Sequence, residues 1–409
     1  VGWVILTLVL QSCAGPRLPD GWDGPLVIAW GRAEISYPES SELGQWTAIT
    51  TRGDGRPTFV RSRDDELGPV DLDRHFLRFR LRIDRTDRVG GLELRLSDTT
   101  SFERHVAFRV PFFTDSSADR VHPGEWTSVS FGLGDALLVD DPDLDRLKYY
   151  GWFVMDHGEG EVVFEISDLE RVPRPREGIV SFTFDDGYLD QLEAARVLSD
   201  YGMGATAYVM PRQVGAPGYL DRTHLRLLAD EHGWEISAHH ATPFTDLTQR
   251  DLKSEIAYSF ETLKELGFSA SAGHLAYPLG KQNSPVVMRV VRDAFWSARL
   301  AAGGLETLPP ADWHLLRAVN VLPTLSPREV LEAVQRAQES GEWAILMFHH
   351  LVESPRQDTD YTMADFEQVV RLVAESGASV MTVGQVWALY GAKADGVAQV
   401  HSRDGEPQY

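Results

Sequence analysis

The spacing of apolar residues changes once along this chain, at Val172–Glu177 (VPRPRE), and that change predicts two folding units. Upstream, the period is two. His75–Ile83 (HFLRFRLRI) alternates apolar and polar, and Leu92, Leu94 and Leu96 repeat the pattern. So do Val106, Phe108 and Val110, then Trp126, Val129 and Phe131, and finally Tyr150, Trp152, Val154, Val162, Phe164 and Ile166. Short alternating strands between Gly, Asp, Pro and Ser turns predict an all-β sandwich over 25–172. Residues 173–177 read as a Pro- and Arg-rich linker. Over 178–391, apolar strand-like runs alternate with amphipathic helical stretches, such as 249–266 and 327–340. Alternation of that kind implies α/β architecture with parallel strands, as a barrel or an open sheet, and an active site at the C-terminal strand ends.

Composition narrows the partners. Among 409 residues, 61 acidic against 39 basic give a formal net charge of −22. Such a surface argues against nucleic acid or anionic lipid as the main partner and leaves sugars open. Val1–Leu10 (VGWVILTLVL) is an apolar run too short to cross a bilayer. It leads into Leu-Gln-Ser-Cys, where Cys13 is the only cysteine and so cannot form an internal disulfide. The run is either a structural strand with an incidental thiol or a secretion signal. Leu-x-small-Cys after an apolar run resembles a lipoprotein lipobox. That resemblance implies a signal segment over 1–13, lipidation of Cys13, and a tether at 14–24. It also implies an extracytoplasmic site at the bacterial cell envelope, with a lipid anchor in the membrane. Residues 392–409 are polar and aperiodic, as in a tail.

Chemistry-bearing residues gather where the parallel strands are expected to end. GIVSFTFDDG at 178–187 reads as a buried strand ending on Asp185 and Asp186. WEISAHH ends on His239 and His240, and WAILMFHH on His349 and His350. Asp-Gly is also a common turn pair, and single His pairs are often structural. Three ionisable clusters at one end of a sheet are harder to explain by packing. A mixed Asp and His set with open positions suits a catalytic divalent ion such as zinc.

In order along the chain, TFDDG at 183–187, GWEISAH at 233–239, AYPLG at 276–280 and LMFH at 346–349 resemble motifs of the polysaccharide deacetylases. This is the NodB-type carbohydrate esterase family. The resemblance implies a distorted (β/α) barrel that removes acetyl groups from an N-acetylated polysaccharide with a divalent metal, zinc or else cobalt or nickel. It places Asp185 as general base, Asp186 and His239 as metal ligands and His349 as the acid that protonates the leaving amine. Backbone around Tyr277, with Pro278 and Gly280, takes the substrate-binding and oxyanion position. Two positions depart from the family pattern. Pro243 stands where a second histidine ligand is expected, leaving His240 as the nearest substitute, and Ala276 stands where an arginine braces the base. Arg299 at the end of WSAR is expected to supply that charge from the next strand. A degenerate, glycan-binding domain and a hydrolase removing an O-acyl or other group are the alternatives. In the sandwich, Trp46, Trp126 and Trp152 are either core residues or platforms for sugar rings.

Overall fold

The computed structural model describes residues 26–41, 44–63, 70–110 and 121–391. The apolar run with Cys13, the tether at 14–24 and the tail at 392–409 lie outside the described residues. The first unit is two antiparallel sheets face to face. One sheet runs Leu26–Trp30, Thr58–Ser62, Tyr149–Asp156, Val89–Ser97, His105–Arg109 and Leu137–Val139. The other runs Thr127–Phe131, His75–Ile83, Val163–Pro173, Thr47–Thr50 and Glu34–Ser36. The period-two residues meet between them because alternate side chains of a strand share a face. Phe79 packs edge-on against Trp152 at 5.0 Å, and Phe108 stacks on Phe131 at 5.2 Å, each pair bridging the sheets. Trp152 is 2% exposed and is therefore core, not a platform for sugar. Trp46 and Trp126 are half-buried, and the Trp46 indole N–H donates to Glu165 at 2.8 Å.

Seven parallel strands make the barrel of the second unit, Ile179–Asp186, Thr206–Val209, Glu235–Ala238, His274–Ala276, Ser297–Gly303, Leu316–Asn320 and Trp343–Phe348, and the short Ser379–Val380 adds to the start of the first. The first strand pairs with both the second and the seventh, so the sheet closes into a barrel. Helices follow where sequence signals place them. Ser326 caps Pro327–Ser340 with a reciprocal bond to Glu329, and Gly341, at φ 67°, ends it in a left-handed turn. A helix at Val383–Tyr390, opened by the Thr382–Gln385 capping box, is an element the periodicity did not reveal. Along the first strand, Phe182 and Phe184 point out under the helices, where Phe184 stacks on Trp234 at 4.7 Å. Ser181, Thr183 and Asp185 alternate with them and are turned to the barrel interior.

The strand Val163–Pro173 extends into the expected linker and carries the chain straight to the barrel. Sandwich and barrel then lock through polar groups. Ser130 Oγ and Thr307 Oγ1 share a hydrogen bond of 2.6 Å, and the Gly134 N–H donates to Glu342 at 2.7 Å. Arg317 pairs with Asp135 of the sandwich and with Glu306. Burial, with the Asp135 charge, raises the Glu342 carboxyl above the usual range. Glu342 directly precedes the seventh strand, so this contact lies at the barrel end opposite the strand tips. Removing the central indole of the sandwich leaves a large cavity. Trp152→Ala is expected to lower the stability of that unit by about 3–5 kcal/mol, measured as a shift in its urea unfolding midpoint.

Candidate active site at the barrel strand tips

Adjacent residues on a regular strand point to opposite faces, so Asp185 and Asp186 share a cleft only if the backbone leaves strand geometry. It does so at Asp186, which sits at φ 70° in the left-handed region, followed by Gly187 at φ 81°. Aspartate tolerates this conformation better than most side chains, and glycine adopts it freely. Asp185 stays buried at 4% exposure and pairs with Arg299, itself 1% exposed. Ala276 and Arg299 are direct partners across the fourth and fifth strands. The guanidinium thus reaches the carboxylate from the strand beside the small residue. It also lies 5.1 Å above the Tyr208 ring and donates to the Leu300 carbonyl at 2.8 Å. Gln191, fully buried, donates to the Asp185 carbonyl at 2.7 Å and holds the strand end in place.

Asp186 Oδ1 lies 3.3 Å from His239 Nε2. His239 Nδ1 is 2.8 Å from the Ala276 carbonyl, to which it donates, and this fixes the ring with Nε2 toward the carboxylate. Burial opposes the Asp186 charge, but the hydrogen bond from His239, the nearby imidazoles and the hydroxyl of Tyr188 outweigh it, so the carboxyl titrates below its ordinary value. Burial likewise works against a charged His239. The bond to Asp186 and the charges of Asp185 and Asp186 prevail and raise it. His349 follows the seventh strand beside the same carboxylates. Burial lowers its basicity despite them, and its Nδ1 is buried without a partner. Asp185, Asp186, His239, Arg299 and His349 are therefore one cluster.

His240 is not part of it. Its Nε2 bonds Ser259 at 3.0 Å, its Nδ1 stands 4.0 Å from Glu255, and its ring packs on Phe244. Burial, with the neighbouring His239, pushes it down to about 3. The expectation that His240 completes a metal site is corrected: as the adjacent strand residue it points away, into a hollow beside Met210 and Arg212. Among the described residues, the only three-ligand group with donor atoms within 4.8 Å of one another is Asp71, Asp73 and Asp145, on the sandwich.

Tyr277 also differs from expectation. Its N–H is already donated to the Arg299 carbonyl at 3.0 Å, and its buried hydroxyl donates to His314 O at 3.1 Å. Pro278 and Gly280 are buried in the turn that follows, while Leu279, at φ 54°, is 65% exposed at the rim.

Sequence reasoning passed over Tyr188, Asp190 and Gln191. Tyr188 bonds Asp186 and stacks on His350 with ring centroids 3.4 Å apart, while His350 Nδ1 lies 2.5 Å from Asp190 Oδ2. Their only signal was position, within five residues of the paired aspartates.

Residues 173–294 match the family model described as polysaccharide deacetylase. YxkH of Bacillus subtilis (strain 168), provisionally named a polysaccharide deacetylase, is 32% identical over 166 residues. The match covers 39% of this chain and 57% of that protein, so the chain spans little more than half the length of the relative. A family 4 carbohydrate esterase from Streptomyces lividans, solved with acetate, is 19% identical. It covers 51% of this chain and 94% of its own, with a TM-score of 0.36. A family 11 carbohydrate-binding module from Clostridium thermocellum, solved with a mixed-linked tetrasaccharide, is 12% identical. It covers 39% of this chain and 97% of its own, with a TM-score of 0.27. The match to the polysaccharide deacetylase model falls on the first strands of the closed parallel barrel, those that carry Asp185, Asp186 and His239.

Two outcomes follow from the charges. Arg299→Met leaves the Asp185 carboxylate buried and unpaired, which costs about 3–5 kcal/mol. In a double-mutant cycle, Asp185→Asn combined with Arg299→Met is expected to cost clearly less than the sum of the single changes. The bond to Asp190 raises the His350 imidazole above its ordinary 6.5. A raised pKa stabilises the fold below the unfolded value and loses its effect as pH rises through the folded one. The melting temperature of Asp190→Asn is therefore expected to fall furthest below wild type under pH 6.5 and to converge with it at alkaline pH.

Proposed function

We propose that this chain is a polysaccharide deacetylase, a metal-dependent hydrolase that removes N-acetyl groups from a bacterial envelope or extracellular polysaccharide. The observation that carries the reading is the junction of Asp185, Asp186, His239 and His349 at one end of the barrel, with Arg299 beside the first aspartate. Asp186 Oδ1 and His239 Nε2 are the two atoms suited to an ion. With bonds of 2.0–2.1 Å, two donors of a tetrahedral zinc stand about 3.3–3.4 Å apart, which matches their 3.3 Å separation. When bound, the ion would polarise the acetyl carbonyl and lower the pKa of water at the site. The rest of the chemistry falls to the chain. Asp185, oriented by Arg299 and Gln191, takes a proton from the attacking water. His349, whose Nδ1 has no partner, takes up the proton that Asp185 removes from the water and passes it to the departing amine, without which the intermediate would expel its nucleophile.

Location at the envelope, with a lipid on Cys13, belongs to the same proposal and rests on the sequence pattern at 1–13. A second reading, glycan binding without hydrolysis, draws on Pro243, which supplies no ligand where the family has histidine. Elemental analysis alongside acetate release from N-acetylglucosamine oligomers separates the two. The deacetylase reading expects about one divalent ion per chain. It also expects loss of the ion in Asp186→Ala and a fall in kcat of about 10²–10⁴-fold in Asp185→Asn. No bound ion and no acetate, with zinc, cobalt and nickel each supplied, would leave the binding reading.

A further inference from the structure

The outer face of the six-stranded sheet carries a row of side chains that the barrel chemistry does not use. Backbone register sets Trp30 opposite Phe59, Phe59 opposite Phe153, Phe153 opposite Glu93, and Glu93 opposite Arg109. The row crosses five adjacent strands at right angles. At the usual strand spacing it is about 19 Å long. Its strand neighbours Val60, Trp152, Leu94 and Phe108 are all core, so the row faces outward.

One half is aromatic and the other ionic. Trp30 stacks on Phe59 at 5.9 Å and meets Phe153 at 6.1 Å, yet remains 45% exposed. Glu93 takes hydrogen bonds from Arg95 at 2.7 Å and from Arg109 at 2.8 Å. Arg95 also lies over the Phe153 ring at 4.9 Å, joining the two halves. In the next row Gly151 stands between Arg61 and Arg95, and a Cβ there would come within 2.5 Å of the Phe59 ring. The missing side chain leaves room for the Phe59 ring, which is 3% exposed beneath Trp30. The Arg109 side chain is 73% exposed at the far end.

We propose that this row is a carbohydrate-binding site for a polysaccharide chain, separate from the cleft at the barrel tips. A pyranose ring has an apolar face that suits an exposed indole and hydroxyl edges that suit a carboxylate flanked by guanidinium forks. Length across five strands fits a ligand of several rings. The net charge of −22 disfavours nucleic acid on the same surface. The site places the polymer on a unit firmly docked to the barrel, so that binding raises the local concentration of substrate at the strand tips.

Retention of the full chain on insoluble chitin and on purified peptidoglycan tests this, with hydrolysis of short soluble N-acetylglucosamine oligomers as a separate readout. Wild type is expected to bind at least one polymer. Trp30→Ala is expected to bind about tenfold more weakly, and Arg109→Ala, which removes an exposed side chain and one of the two guanidinium partners of Glu93, is expected to weaken binding too. Trp30→Ala leaves turnover of short oligomers unchanged, and Asp185→Asn leaves retention unchanged. Retention on peptidoglycan alone assigns the guanidinium end to carboxylates, and retention on both polymers assigns it to hydroxyls. Wild type retained by neither polymer, or both sandwich variants bound as tightly as wild type, overturns the proposal whether or not the barrel hydrolyses anything.

Discussion

A single left-handed residue, Asp186, makes the strand-tip cluster possible. Without it the two aspartates would face opposite sides of the sheet, one in the barrel interior and one under the helices. With it, Asp185 keeps its interior place beside Arg299 while Asp186 turns to His239. Nothing else in the cluster needs unusual backbone. His239 and His349 reach it from strand ends and Arg299 from within its strand, because parallel closure turns the C-terminal tips of the barrel strands to one rim.

That arrangement confines charge in a buried space, and the surroundings show how the cost is met. Each carboxylate has its own cation or cation-like partner, Arg299 for one and His239 for the other. Every accessory contact, from Gln191 on the Asp185 carbonyl to Ala276 on His239, fixes an orientation rather than adding charge. The register of Ala276 with Arg299 explains how a guanidinium can be supplied from the fifth strand when the fourth offers a methyl group. At the opposite end, the buried Arg317, Glu306 and Glu342 and the partly exposed Asp135 form a second charge set, and it holds the sandwich in place. The two sets divide the barrel into a reactive end and a docking end.

Much of this was legible in the residues. Period-two spacing located the sandwich sheets, and strand–helix alternation located the barrel strands within a few residues, because burial on one face or both writes itself into the pattern. The rest depended on geometry that spacing does not carry. His239 and His240 are indistinguishable as letters, and only strand alternation, continuing through Ala238, sends one to Asp186 and the other to Ser259. Tyr277 looked available because sequence does not record that its amide completes the ladder with Arg299. Trp152 and Trp30 are both plausible sugar platforms by type. One is sealed between sheets and the other is half-exposed at an edge, a difference set by strand parity and order. The row from Trp30 to Arg109 could not be read at all, since its members are scattered between Trp30 and Phe153 in the sequence and meet only through register.

Anomalous diffraction at the zinc edge from crystals of the full chain soaked in zinc is the most direct measurement of the central claim, that the turn at Asp186 creates an ion site with His239. The account predicts a peak about 2 Å from both Asp186 Oδ1 and His239 Nε2. A peak at the Asp71, Asp73 and Asp145 group with none at the strand tips would contradict it.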